Sequence, residues 1–215
     1  MFLPLGVDPI KFHPSHAQDS LKTEYPDFSF RLNIFYPHRF SEEKGVRTLL
    51  SALEILEKRQ VKLPQIFFAG TGPDLGMVEK AVQRWPSVHY LGFIQDPQKM
   101  AAFYATSDIT LALSGWETFG LSILEAMASG LCMIGANTGA ASEHIEKSNA
   151  GWQIPTAEPK ALADALQKLI ENPSLVSQKS PNARKYAENL AWNNCFETQN
   201  TFYQQLFHKT TAKQP

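Results

Sequence analysis

Little in this sequence of 215 residues invites a covalent staple, a membrane or a nucleic acid. Cysteine occurs twice, at Cys132 and Cys195. Two are too few for a disulfide framework; a reducing compartment fits them, and Cys132, opening an apolar run, reads as a buried thiol. No apolar run approaches the ~18 residues that cross a bilayer. The opening Met1-Phe2-Leu3-Pro4-Leu5-Gly6 lacks the basic and long apolar regions of a signal peptide. A cytoplasmic location is the expectation. A formal net charge of −1 leaves no footprint for nucleic acid. There is no Gly-x4-Gly-Lys-Ser/Thr, which excludes a P-loop nucleotidase. Gly70-x-Gly72 lacks the third glycine and the acidic residue of a dinucleotide fingerprint. No Asp-x-Asp is present, so no metal bridging phosphates is indicated. His13 and His16 stand three apart, but proline and serine between them indicate a loop rather than a metal site.

What the sequence does have is alternation. Near-continuous apolar runs at 32–36, 65–69, 88–92, 109–113, 132–136 and 151–154 read as strands. Between them, stretches such as Val46, Leu49, Leu50, Leu53 and Leu56 recur at helical spacing. Helices are expected from about Asp74 to Trp85, over 99–106, from Phe119 or Gly120 onward, across Leu162–Ile170, and twice more between 176 and 208. Strands that are apolar on both faces and alternate with helices predict a parallel sheet covered on both sides. The fold class is therefore α/β, a Rossmann-like doubly wound sheet of about six strands with C-terminal helices. Residues 1–14, rich in proline, read as a linker, 15–31 as a polar surface loop, 15–175 as the domain, 176–208 as added helices and 209–215 as a tail.

The sequence is organised around Gly115-Trp116-Glu117-Thr118-Phe119-Gly120-Leu121, between the fourth strand and a helix. Open α/β sheets bind ligands at such carboxyl-end loops. The amide protons of Phe119, Gly120 and Leu121 would face the cleft with the positive end of a helix dipole behind them, which suits a phosphate. Glu125 lies one turn below Leu121 and reads as an acceptor for a vicinal diol, and Glu117 stays on the loop. Arg39 and Lys44 stand between the first strand and the next helix; Arg offers a bidentate grip on phosphate and Lys a compact charge. One anion site flanked by two diol sites describes a nucleoside-diphosphate sugar.

Glu117-Thr118-Phe119-Gly120-Leu121…Leu124-Glu125-Ala126-Met127-Ala128-Ser129-Gly130 resembles the Glu-x7-Glu segment of GT-B retaining glycosyltransferases, in particular family 4, the glycosyl transferases group 1. Arg39-Phe40-Ser41-Glu42-Glu43-Lys44-Gly45 is similar to their Gly-Arg-Leu-x-x-Glu-Lys-Gly, with His38 in place of the glycine. Gly70-Thr71-Gly72-Pro73 is similar to their Gly-x-Gly-Pro. The opening resembles their interdomain connector, and Leu190-Ala191-Trp192-Asn193 their Phe-Ser-Trp junction. The resemblance implies the C-terminal, donor-binding half of a GT-B enzyme, with the N-terminal domain supplying most of the acceptor site. The chain then reads as a fragment or one half of a split enzyme, binding donor weakly and not turning over alone.

The resemblance further implies transfer of a hexose from a UDP- or GDP-type donor with retention and without a metal or other cofactor. Arg39 and Lys44 would hold the diphosphate, Glu117 the sugar hydroxyls and Glu125 the ribose. Gly70 and Gly72 would keep backbone near the donor. Phe93 and Ile94 sit at the corner that contacts the base; for Phe93 a place in the core is an equal reading. Glu143 is expected to support the loop. The Glu-Thr-Phe-Gly-Leu wording also resembles relatives that glycosylate lipids, which leaves the full enzyme room for a peripheral place at the inner face of a membrane. Two other classes stay open: a non-catalytic nucleotide-binding subunit that docks on a separate N-terminal chain, and a sugar-nucleotide epimerase of like architecture.

Overall fold

A parallel pair of strands cannot be joined by a tight turn, so each strand needs a crossover, and the amphipathic segments supply one every time. The structure, a computed structural model, describes residues 5–25 and 27–211, with side chains as far as residue 206. Among the described residues the strands are β1 (Asn33–Pro37), β2 (Gln65–Ala69), β3 (Val88–Tyr90), β4 (Ile109–Ala112), β5 (Cys132–Ala136) and β6 (Gly151–Ile154). They form one sheet in the order β3-β2-β1-β4-β5-β6, every pair parallel. The helices are α1 (Asp19–Glu24), α2 (Val46–Lys58), α3 (Leu75–Arg84), α4 (Pro97–Thr106), α5 (Leu121–Ala128), α6 (Gly139–Ser148), α7 (Pro159–Glu171), α8 (Ser174–Asn189) and α9 (Trp192–Thr211).

Successive strand residues point to opposite faces, and the core divides accordingly. Ile34, Tyr36, Ile66, Phe68 and Ile134 pack with the apolar stripes of α2, α3 and α7. Phe35, Phe67, Ala69 and Met133 pack with α4, α5 and α8 on the other side. The chain builds outward from β1 to β3 and then returns to place β4 on the other flank of β1. The strand order thus reverses between β1 and β4, and a crevice opens outside their carboxyl ends.

Residues 15–31 differ from the loop expected of them. They carry α1 and short 3₁₀ turns at Pro14–His16 and Phe28–Phe30. Leu21 and Phe28 are buried, and the rings of Tyr25 and Phe28 lie against Phe67. A six-residue helix is too short to show a period, so its apolar residues looked scattered. In the linker, residues 1–4 fall outside the described residues. Val7 bridges to Ala191, donating its N–H to Leu190 O at 2.9 Å and accepting from Trp192 N at 3.1 Å, so the connector is docked where α8 meets α9. On α9 Tyr203 and Leu206 are exposed. Helix α4 starts two residues before the position expected for it, because the Asp96 carboxylate caps Gln98 N at 2.8 Å and Pro97 occupies the first turn. No helix among the described residues is long and apolar enough to cross a membrane.

Candidate active site

Three carboxyl-end loops meet at the strand-order reversal: 38–45 after β1, 70–74 after β2 and 113–120 after β4. The first two are closed on each other. Phe40 N donates to Thr71 O at 3.0 Å and Asp74 N to Phe40 O at 3.0 Å. A Cβ at Gly70 would stand 2.2 Å from His38 O, and one at Gly72 2.3 Å from Phe40 O. Only glycine permits that approach. These glycines therefore serve first to seat one loop against the other.

His38 explains how the chain dispenses with a glycine before Arg39. Its ring turns beneath the loop and donates from Nε2 to Leu111 O at 2.8 Å, edge-on to Tyr36. Burial, with Lys44 adding, pushes its pKa down to about 4, so the ring is neutral. Arg39, next in sequence, is exposed and carries no ion pair or hydrogen bond among the described residues. Lys44 is fixed from behind: the buried Tyr36 hydroxyl donates to Lys44 O at 2.5 Å.

Lys44 and Glu117 do not wait separately for a ligand. Lys44 Nζ donates to Glu117 Oε2 at 2.8 Å, both half-buried. Glu117 Oε1 accepts from Gly120 N at 3.3 Å. Burial pushes this carboxyl up, but the Lys44 ammonium and the Gly120 amide outweigh it and hold it below the usual range. One of the three amide protons expected to face the cleft is thus taken by Glu117. Gly120, in the left-handed region at φ 69°, is the N-cap of α5, and Leu124 N makes the first helical bond to its carbonyl. The amides of Leu121, Ser122 and Ile123 have no partner within the helix, so the positive end remains.

Two clefts adjoin the loops and share Arg39. One, of about 660 Å³, is lined by His38, Arg39, Gly70, Gly72, Phe93, Ile94 and Met100 among others. Phe93 is 68% exposed, so it is not a core residue, and Ile94 is buried at the cleft floor. The other, of about 490 Å³, is lined by Arg39, Ser41, Glu42, Glu43 and Trp116. Phe119 and Leu121 are exposed at the start of α5. Glu125 is half-buried and lines neither cleft; the Tyr104 hydroxyl stands 3.5 Å from its Oε2. Tyr104 follows Met100 by one turn of α4. Burial raises the Glu125 pKa against a smaller opposing pull from Lys11. A third hollow of about 540 Å³, lined by Asn33, Leu63 and Asp108, opens at the amino edge of the sheet, away from these loops.

The 113–120 loop is held by residues that the sequence did not mark. Ala140 N donates to Glu117 O at 2.8 Å. His144 Nε2 donates to Phe119 O at 2.9 Å; since a carbonyl can only accept, Nδ1 of the neutral ring accepts from the Tyr186 hydroxyl at 3.0 Å. Burial lowers the His144 pKa, which fits that neutral ring. The support expected of Glu143 therefore comes from its neighbour, while Glu143 itself pairs with Lys147 on the surface. Tyr186→Phe removes only the hydroxyl of this relay. It is expected to lower stability by about 1 kcal/mol, read by urea unfolding. His13 bonds Ser15 and His16 bonds Ile10 O, and no group of three metal-binding side chains occurs among the described residues. Cys132 and Cys195 are both free and buried, and burial pushes the Cys132 thiol up to about 12.

A profile of glycosyl transferases group 1 matches residues 25–188, about three-quarters of the chain. The chain belongs to this family. A GDP-mannose-dependent alpha-(1-6)-phosphatidylinositol dimannoside mannosyltransferase of Mycobacterium tuberculosis is 28% identical over 190 residues, 88% of this chain and 48% of the relative. The chain spans about half the length of the curated relatives it matches. Among solved structures, a sucrose-phosphate synthase from Thermosynechococcus elongatus superposes on 97% of this chain and 53% of its own, with TM-score 0.80 and 24% identity. The C-terminal domain of a glycosyl transferase group 1 family protein from Francisella tularensis is 25% identical, with TM-score 0.67, covering 86% of this chain and 97% of that domain. This group 1 chain thus has the GT-B C-terminal architecture, and its Lys44, Glu117 and Gly120 are joined at the sheet's reversal point while Arg39 lines the two clefts beside them.

Proposed function

We propose that this chain is the donor-binding half of a retaining, metal-independent hexosyltransferase, taking a nucleoside-diphosphate hexose of the UDP or GDP type. The observation that carries the reading is the Lys44–Glu117 pair held at the amino end of α5 outside β1 and β4, with Arg39 lining the two clefts beside the same loops. The cleft lined by Phe93 and Ile94 takes the nucleoside, with the backbone of Gly70 and Gly72 beside it. Arg39, Lys44 and the amides of the first turn of α5, from Leu121, take the diphosphate. Glu117 turns from Lys44 to the hexose hydroxyls, and Glu125 receives the ribose diol. Phe119 closes the helix end.

As the bond to the leaving diphosphate breaks, negative charge grows where these cationic and amide protons are already fixed. That preorganisation needs no bridging metal. The relative's name supports retention, since GDP-mannose is an α-mannoside and the named product linkage is also alpha. The N-terminal half and the acceptor belong to the whole enzyme, which sits inside the cell, free or at the membrane's inner face.

Titration calorimetry with UDP, GDP, UDP-glucose and GDP-mannose, with and without EDTA, tests the reading. Saturable binding that survives EDTA is expected. Glu117→Gln sharpens the test. A diphosphate must share Lys44 and the α5 end with the Glu117 carboxylate, and removing that charge relieves a contact worth ~1 kcal/mol in a solvated site. The variant is expected to bind bare UDP or GDP about fivefold more tightly, while the advantage of the sugar-bearing form shrinks. Unchanged affinities would take Glu117 out of the site.

A further inference from the structure

Trp116 is 87% exposed, although it carries the largest apolar side chain. Its backbone is nonetheless fixed. Trp116 N donates to Ser114 Oγ at 3.2 Å, Thr138 Oγ1 to Gly115 O at 3.4 Å, and Ala140 N to Glu117 O at 2.8 Å. A rigidly mounted aromatic plate left in solvent marks a binding surface more than a packing surplus. Its surroundings narrow the ligand. The indole shares its cleft with the exposed carboxylates of Glu42 and Glu43 and with Arg39. An acyl chain would gain nothing from carboxylates beside it, and a second phosphate would be repelled by them. A pyranose ring suits both: its C–H face lies on the indole while its hydroxyls donate to the acids.

We infer that Trp116 is a stacking platform for a pyranose lying just beyond the diphosphate grip. Arg39 lines both clefts, so a diphosphate held there has whatever it is joined to, or transferred to, at the indole. The inference rests on the reading of the first cleft as the nucleotide site. The ring is either the donor's hexose or a sugar of the acceptor, and the chemistry of stacking is the same for both.

The experiment follows the intrinsic fluorescence of the 215-residue chain against that of Trp116→Phe. Ligands are UDP and GDP, then UDP-glucose and GDP-mannose, then methyl α-D-glucopyranoside and methyl α-D-mannopyranoside with UDP or GDP bound. The pyranose-bearing ligands are expected to change the Trp116 signal saturably, and the bare diphosphates to leave it unmoved. A response to sugar nucleotides alone assigns the donor's ring; a response to the glycosides assigns the acceptor's. Trp116→Ala is expected to lose about fivefold in affinity for the responding pyranose ligand, in line with aromatic contacts of ~1 kcal/mol. Its UDP and GDP affinities stay as they were, and Trp116→Phe recovers most of the loss. Equal responses to bare and sugar-bearing diphosphates, or wild-type pyranose affinity in Trp116→Ala, overturn the stacking role and leave the nucleotide reading standing. Failure of UDP and GDP to bind the wild type overturns both.

Discussion

Arg39→Ala is expected to weaken binding of UDP and GDP by about a hundredfold, within the ~1.5–3 kcal/mol span of hydrogen bonds to charged groups. The size follows from what Arg39 has now. It is exposed, carries no ion pair or hydrogen bond among the described residues, and lines both clefts. No ion pair or hydrogen bond among the described residues holds its guanidinium, so its donors are available to a diphosphate. Lys44 is different, because Glu117 already neutralises it at 2.8 Å. Lys44→Ala should therefore cost less, about tenfold, and should cost more when Glu117→Gln is already in place, because Lys44 is then unpaired and gives its whole charge to the diphosphate. Arg39→Lys should recover little, since an ammonium cannot make the two parallel bonds of the guanidinium. Because Arg39 is exposed and makes no ion pair or hydrogen bond among the described residues, its variants should unfold within about 0.5 kcal/mol of the wild type. Equal nucleotide affinity in Arg39→Ala and wild type would remove the residue from the site. Affinity lost together with stability would mean that the fold, not the grip, had been changed.

How legible the molecule was depends on whether a feature is local in sequence. Strands β2 and β5 fall where their apolar runs end, because burial on both faces writes a continuous run. Strand β3 is shorter than its run: Leu91 N still bonds Phe68 O at 2.9 Å, but Gly92 turns away at φ 71°. The Glu-x7-Glu and Arg-x4-Lys spacings were readable because they lie within single strand–loop–helix units. The Lys44–Glu117 pair was not, since it joins residues 73 positions apart and depends on β1 and β4 being neighbours. His144 was equally hidden. On α6 it looks like any polar helix residue, and only the fold brings Phe119 O and the Tyr186 hydroxyl to its two nitrogens. Trp116 was in plain view as a residue, but its exposure is a fact of three dimensions.

Acidification should loosen this site through His38, and the sign follows from the direction of its shift. The unfolded imidazole titrates near 6.5, whereas the folded one is pushed down to about 4 by burial and by Lys44. Between those values the unfolded chain binds more protons than the folded one, so stability falls as pH falls. The contribution is fully present above pH 6.5 and is lost progressively toward pH 4, amounting to about 3 kcal/mol over the whole window. His144 and His89, also held down by burial, act in the same direction. Asp108 and Glu125, raised by burial, act in the opposite one, because their folded forms take up protons more readily. A wild-type pH profile alone mixes these terms, so the informative quantity is its difference from His38→Gln. The glutamine amide can still donate toward Leu111 O but does not titrate. Urea unfolding of both chains across the window should show the variant with the shallower slope and a gap that narrows as the pH drops. Parallel profiles would mean that the His38 ring is not held neutral. The coupling reaches function because His38 precedes Arg39. A second proton on the ring adds charge beside Lys44 and pushes the 38–40 turn outward, so nucleotide affinity should begin to fall at a higher pH in the wild type than in the variant.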